Sequence, residues 1–199
     1  ASSLGMAKAA LQALDGLNLF GPQGAPRAQV HTVPDALSMA RTNLAALLPR
    51  ESLSKEVDSA ILSIIGFPAF AVSDSRLVTK TRDDILKKLG GNYGLKRFLW
   101  DGHQTSTEDP SRLYYEHSEL AGFEHIESEW PLFFCYLYIN ALFAENAQTA
   151  SHYREKIEAL MVEKDGIRLI PELYFVAPEN VEAEKQNPRS QAREPNENL

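Results

Sequence analysis

A chain of 199 residues is long enough for one large domain with a sizeable core. Its net charge of −7, with no basic run interleaved with aromatics, argues against a nucleic-acid partner, because phosphates need a cationic face. The single cysteine, Cys135, excludes an internal disulfide framework and reads as a small core hydrophobe; no His/Cys spacing for zinc, glycine-rich phosphate loop or dinucleotide fingerprint is present, so no metal and no cofactor is expected.

Taken in order, Ser2 or Ser3 is expected to cap a helix through Met6, Ala9, Ala13, Leu14 and Leu17, with Gly16 at its fraying end. Gly21 to Gly24 is a turn cluster, and Ala28–Val33 a short extended piece. Asp35 caps a second helix with Leu37, Ala40, Leu44, Leu47 and Leu48 on one face, ended by Pro49. Ser54 opens a third through Val57, Ile61 and Ile65, stopped by Gly66 and Pro68. Thr79 or Thr81 caps a fourth over Asp83 to Leu89, acids first and lysines last, as the helix dipole prefers. A short run, Leu95 to Gly102, leads into a polar loop reaching Tyr115.

The stretch that organises the rest follows. Glu124, Glu127 and Glu129 precede Trp130-Pro131 and the segment Leu132–Phe143, which is apolar on nearly every side. About twelve apolar positions are too few to span a bilayer, so this reads as a buried helix with acids at its mouth. Asn146 or Thr149 opens a helix through Tyr153, Ile157 and Leu160; Gly166 to Phe175 is an extended apolar run; residues 177–199 read as a long polar loop. The expected fold is all-α. Solenoid, irregular bundle and closed barrel of helical hairpins all fit, and long aromatic loops without a sequence repeat favour the barrel. Ala1 is not an initiator Met, and Asn196–Leu199 stops where a new apolar run could begin. The chain therefore reads as an internal piece of a longer one, in which a missing signal peptide says little about compartment.

Four segments pair aromatic plates with charged groups: Phe67–Phe70, Arg97–Asp101 with Trp100, Glu124–Trp130, and Pro171–Tyr174. Such pairs suit sugars, whose flat C–H faces meet rings while carboxylates and guanidinium groups bond the hydroxyl rims. Two carboxylates flanking a glycosidic bond would suffice for hydrolysis. Glu172 stands inside an apolar run, where a charge must be paired or functional; Arg97 or Arg168 is its structural alternative. Helix capping is the structural alternative for Glu127 and Glu129, and a local salt bridge that for Arg97 and Asp101. His103, His117 and His125 read as surface or loop residues, and Tyr114-Tyr115 as core packing.

Ala1-Ser-Ser-Leu-Gly, Leu48-Pro-Arg-Glu-Ser52, Phe67-Pro-Ala-Phe-Ala71, Glu108-Asp-Pro110, Ile126-Glu-Ser-Glu-Trp-Pro131 and Ile170-Pro-Glu-Leu-Tyr174 together, nearly end to end, resemble the regulatory alpha and beta subunits of phosphorylase kinase. Their N-terminal domain resembles glycoside hydrolase family 15, the glucoamylases. The resemblance implies part of an (α/α)6 barrel, a six-hairpin toroid truncated at both ends, over residues 1–199. It also implies Glu172 as general base and Glu127, then Glu129, then Glu124, as general acid, with Arg97 and Asp101 holding sugar among Trp100, Trp130 and Tyr174. Two departures stand out: Leu173 replaces the usual amide or acid, and Ile126 replaces the Trp normally before the acid. Three readings follow: a glucan-binding regulatory domain in glycogen metabolism, an active inverting glucan 1,4-alpha-glucosidase, or a non-catalytic helical scaffold. The implied partners are a glucan or oligosaccharide, other kinase subunits and calmodulin. No basic amphipathic segment reads as a calmodulin target. The implied location is cytoplasmic, with membrane association through other parts of the parent chain.

Overall fold

A computed structural model describes residues 1–24 and 28–196, and these form a mainly helical fold with two small sheets. The helices are α1 (Ser2–Leu14), α2 (Pro34–Leu47), α3 (Leu62–Ile65), α4 (Ser75–Leu89), α5 (His117–Leu120), α6 (Leu132–Phe143), α7 (Ala147–Leu160) and α8 (Val181–Gln186). The main core gathers Leu44, Ile61, Leu62, Ile64, Ile85, Leu89, Leu95, Phe134, Leu137 and Leu173. α1 lies against α2, α6 against α7, and the short α3 touches α1, α4 and α6. A Cβ at Gly5 would come within 2.8 Å of Ile64, so the absent side chain is what lets α1 sit directly on α3. Cys135 is half-buried, and burial pushes its thiol up, consistent with an unreactive packing role.

Helix starts differ from expectation wherever a distant group supplies the partner. Neither Ser2 nor Ser3 caps α1; the Glu51 carboxylate accepts from the Ser2 N–H at 2.8 Å instead. α2 has Pro34 at its first position, with Asp35 in the first turn. The helix expected from Ser54 shrinks to a 3-10 turn, Ser59–Ile61, followed by α3. Its N-terminal half is diverted: the Ser59 N–H bonds the Arg97 carbonyl at 2.8 Å, and Asp58 pairs with Phe98. α4 starts at Ser75 rather than Asp83, because the Asp74 carboxylate accepts from the N–H groups of Arg76 and Leu77 at 2.9 and 3.3 Å. It buries Thr81, Ile85 and Leu89 at strict four-residue spacing. Asn146 does cap α7, accepting from the Thr149 N–H at 3.0 Å.

α6 is apolar on nearly every side, as expected, but it is not buried all round. Phe133, Phe134, Leu137 and Ala141 face the core, whereas Leu132, Leu142 and Phe143 are more than half exposed. Phe67 stacks on Phe143 at 5.7 Å and Phe70 meets it edge-on at 5.1 Å. That places the Phe67–Phe70 loop at the C-terminal end of a 12-residue helix, roughly 18 Å from the acids at the other end. Tyr114 is largely exposed; only Tyr115 packs, edge-on to Phe123 at 5.0 Å.

The all-α expectation is corrected by two antiparallel pairs. β1 (Val162–Lys164) and β2 (Ile167–Leu169) flank Asp165-Gly166, both left-handed with φ of 54° and 76°, the Asp-Gly signature of a tight hairpin. β3 (Tyr174–Val176) pairs with β4 (Arg193–Pro195). The expected loop after Ala177 is therefore a 3-10 turn at Pro178–Asn180, then α8 and β4, while Glu197–Leu199 fall outside the described residues. No helix among the described residues is long and apolar enough to cross a membrane. Replacing the cap of α4, Asp74→Ala, is expected to lower stability by about 1 kcal/mol in urea unfolding. Thr79→Ala, on the exposed face of the helix, should leave the midpoint unchanged.

Candidate functional site

The helices carry a mesh of extended loops. Leu95 pairs with Trp130, Glu129 with Tyr174, and Tyr174 in turn with Pro195 on β4. Glu129 and Tyr174 exchange both backbone hydrogen bonds at 2.8 Å, so the two carboxylate-bearing motifs lie directly side by side. Close approach needs glycine twice. A Cβ at Gly94 would fall on the Trp130 backbone, and one at Gly91 on the Glu129 carboxylate.

Along residues 127–130 the side chains take partners in two separate sets, as expected of extended chain with a period of two. Glu127 and Glu129 form one set, and both are buried. Glu127 Oε2 accepts from Lys96 Nζ at 2.5 Å, and its Oε1 from the Trp100 N–H at 3.0 Å. Glu129 Oε2 accepts from the Tyr93 N–H at 2.8 Å, while its Oε1 lies 3.1 Å from Arg193 Nε. Arg193, also buried, donates to the Glu127 carbonyl at 2.6 Å and the His125 carbonyl at 3.3 Å. It also lies 3.6 Å from buried Glu184, whose carboxylate is held by the N–H groups of Arg189 and Gln191 at 2.8 and 3.0 Å. A hollow of about 260 Å³ adjoins these groups, with Lys88, Glu124 and Arg189 among its lining. Neither acid caps α6, which has no side-chain cap and no acid in its first turn.

Ser128 and Trp130 form the other set. The Ser128 hydroxyl donates to the Gln104 carbonyl at 2.9 Å. Trp130 carries Arg97 at 5.0 Å over its ring and His103 stacked at 6.2 Å. Arg97 forks onto buried Asp101 through bonds of 2.6 and 2.8 Å. Burial works against its charge, but the Asp101 bonds outweigh that and hold the guanidinium more firmly protonated than usual. The fork is the local salt bridge that the sequence allowed. Asn196 continues the row, donating to Gln104 Oε1 at 3.2 Å and Glu172 Oε2 at 3.0 Å. Glu172 is exposed between buried Pro171 and Leu173, not buried as the apolar run suggested. Arg168 bonds the Glu158 carbonyl at 2.6 Å. Tyr174 is buried behind this row. Its hydroxyl bonds the Leu160 carbonyl at 2.5 Å, and burial, with Tyr93 beside it, pushes the phenol up.

The candidate residues thus divide. Arg97, Asp101, Trp130 and Glu172 are linked through His103, Gln104 and Asn196 into one polar and aromatic row. Glu127 and Glu129 contact Lys96 and Arg193 instead. Trp100, left-handed at φ 63°, walls a separate hollow of about 590 Å³ with Phe98 and His117. No group of three or more His, Cys, Asp or Glu side chains among the described residues could hold a metal ion. Sequence reasoning missed Lys96, Gln104, Glu184, Arg193 and Asn196. A charge in a polar stretch looks solvated, and only the β3–β4 pairing turns Arg193 inward.

Chemically, the two sets differ. Both Glu127 oxygens accept hydrogen bonds, so Lys96 and the Trp100 N–H hold the carboxylate in one orientation. Above buried Trp130 the row presents the exposed His103 ring, a guanidinium fork, an amide and an exposed carboxylate, groups that can meet a hydroxyl-rimmed flat ligand. Arg193→Met should cost about 3–5 kcal/mol in equilibrium unfolding, because it strands two buried carboxylates.

The chain matches the family model described as glycosyl hydrolases family 15 over residues 1–196. It is 52% identical over 196 residues to the skeletal-muscle isoform of phosphorylase b kinase regulatory subunit alpha from Oryctolagus cuniculus, and 51% over 195 residues to the probable alpha subunit from Drosophila melanogaster. The probable alpha subunit from Caenorhabditis elegans is 47% identical over 196 residues. Each match covers 98% of this chain but 16% of the relative, so the chain spans about one-sixth of the length of these relatives. With the family match running from its first residue to residue 196, the chain belongs to glycosyl hydrolase family 15.

Proposed function

We propose that this chain is the glucoamylase-like portion of a phosphorylase kinase regulatory subunit, and that it binds a glucan along the Trp130 row without hydrolysing it. The observation that carries this is the engagement of Glu127: one oxygen on Lys96 Nζ, the other on the Trp100 N–H. An inverting hydrolase needs a protonated acid facing its base across about 6.5–9.5 Å of open cleft. Glu172, the base by family resemblance, belongs to the row reached through Asn196 and Gln104, whereas Glu127 has its partners in the other set. Glu129 is an equally poor donor, with Tyr93 and Arg193 on its two oxygens.

The names of the similar proteins, regulatory subunits of a kinase acting on phosphorylase b, support a role in glycogen metabolism. The other kinase subunits, and calmodulin by family resemblance, are the protein partners this reading implies, in the cytoplasm. Family membership and the helical hairpins α1–α2 and α6–α7 support reading the fold as part of an (α/α)6 toroid.

The test uses maltoheptaose and the full-length protein. Calorimetry should register binding, weakened roughly tenfold or more by Glu172→Ala, the usual effect of losing a hydrogen bond to a charged group. Reducing-sugar release should not exceed that of Glu172→Gln. Turnover that falls about 10²–10⁴-fold in Glu172→Gln would instead establish the hydrolase.

A further inference from the structure

We infer that Arg193 is the positioning residue of the glucan face: it touches no ligand itself, and it sets the geometry of buried Ser128 and Trp130, against which Gln104, Arg97 and His103 of that face rest. The inference rests on the binding reading above but adds a residue that the family's acid–base pair does not include. Arg193 lies 66 residues beyond Glu127, and its guanidinium donates to main-chain carbonyls at Glu127 and His125. It also contacts the Glu129 carboxylate. Those contacts hold residues 125, 127 and 129 at alternate positions of one short segment. Fixing the backbone on either side of residue 128 fixes the direction of the side chains that alternate with Glu127 and Glu129. Those side chains are Ser128, bonded to Gln104, and Trp130, the ring that Arg97 and His103 cover.

Two features fit such a clamp. His125 is left-handed at φ 75°, an uncommon conformation for a non-glycine residue, and Arg193 bonds its carbonyl. The Glu127 carbonyl is the acceptor of the shortest of the Arg193 bonds, 2.6 Å. The planar fork is what reaches both carbonyls and a carboxylate at once. An ammonium on a flexible stem supplies the charge without that geometry.

The discriminating variant is therefore Arg193→Lys, which keeps a cation between Glu129 and Glu184. Two readouts are taken on the full-length protein: maltoheptaose affinity by calorimetry, and the position and solvent exchange of the Trp130 indole N–H resonance in ¹⁵N-labelled protein. Trp100→Phe assigns that resonance, since the chain has two tryptophans. Circular dichroism confirms that the variant is folded. The expected result is a loss of affinity of about tenfold or more, with a shifted and faster-exchanging Trp130 signal. The control, Glu184→Gln, leaves the Arg193 bonds to both carbonyls and to Glu129 in place, and should leave the Trp130 signal where it is. An unmoved Trp130 signal in folded Arg193→Lys overturns the assignment. If the wild-type protein binds no maltoheptaose, the binding reading falls, yet the Trp130 signal still decides the role of Arg193. Should Arg193→Lys fail to fold, Arg193→Gln is read in the same way, because its amide can keep one carbonyl bond but not the fork.

Discussion

A guanidinium taken out of water in a chain of net charge −7 is the contact on which the loop mesh depends. Arg193 is nearly surrounded by acceptors: two carbonyls, the Glu129 carboxylate and, slightly farther off, Glu184. Desolvating such a group is costly, and only near-complete hydrogen bonding offsets it. Glu127 and Lys96 form a second buried pair alongside. The two pairs fasten segments from four parts of the chain, near residues 96, 127, 184 and 193. The helices supply the apolar mass beneath, but they do not by themselves determine how those segments lie.

The fold is thus a helical support for a band of extended loops with two unlike sides. One side is ionic, enclosed and internally satisfied. The other carries an aromatic ring, a forked ion pair, an amide and an accessible acid. In a family named for hydrolysis, the acids nearest the aromatic helix sit on the side where every oxygen has a donor. Those carboxylates hold the backbone of the loops that cross beside them. Glycines mark where the loops crowd most: Gly91 gives room to the Glu129 carboxylate and Gly94 to the Trp130 backbone.

Much of this was legible in the residues. The amphipathic spacing of α2, α4 and α7 is plain in the sequence, and the Asn146 cap is at the expected position. Family membership was readable from the Ile-Glu-Ser-Glu-Trp-Pro and Ile-Pro-Glu-Leu-Tyr motifs, and Arg97 with Asp101 from their four-residue spacing. The rest depended on tertiary partners. Ser59 bonds a loop carbonyl instead of extending a helix, and Glu51 serves α1 from far along the chain. Leu132, Leu142 and Phe143 read as core because composition does not tell which side of a helix meets solvent. The Asp-Gly pair at 165–166 is a hairpin signal that apolar-run reasoning passed over. Glu172 read as buried because its neighbours Pro171 and Leu173 are, and local hydrophobicity does not tell which single side chain of a run turns to solvent.

The contacts made by Arg189, Arg193 and Asn196 carry a consequence for the order of assembly. They reach back 99, 66 and 92 residues, to Gly90, Glu127 and Gln104. Closing chain segments of that length is entropically slow, and it cannot begin until the later stretch has been synthesised. During translation the helices through α7 can gather their core first, with the acid-bearing segment held by Tyr93, Lys96 and Trp100 but not yet clamped by Arg193. The band of loops is then clasped from the far end, so the row around Trp130 is the last part of the molecule to acquire its shape.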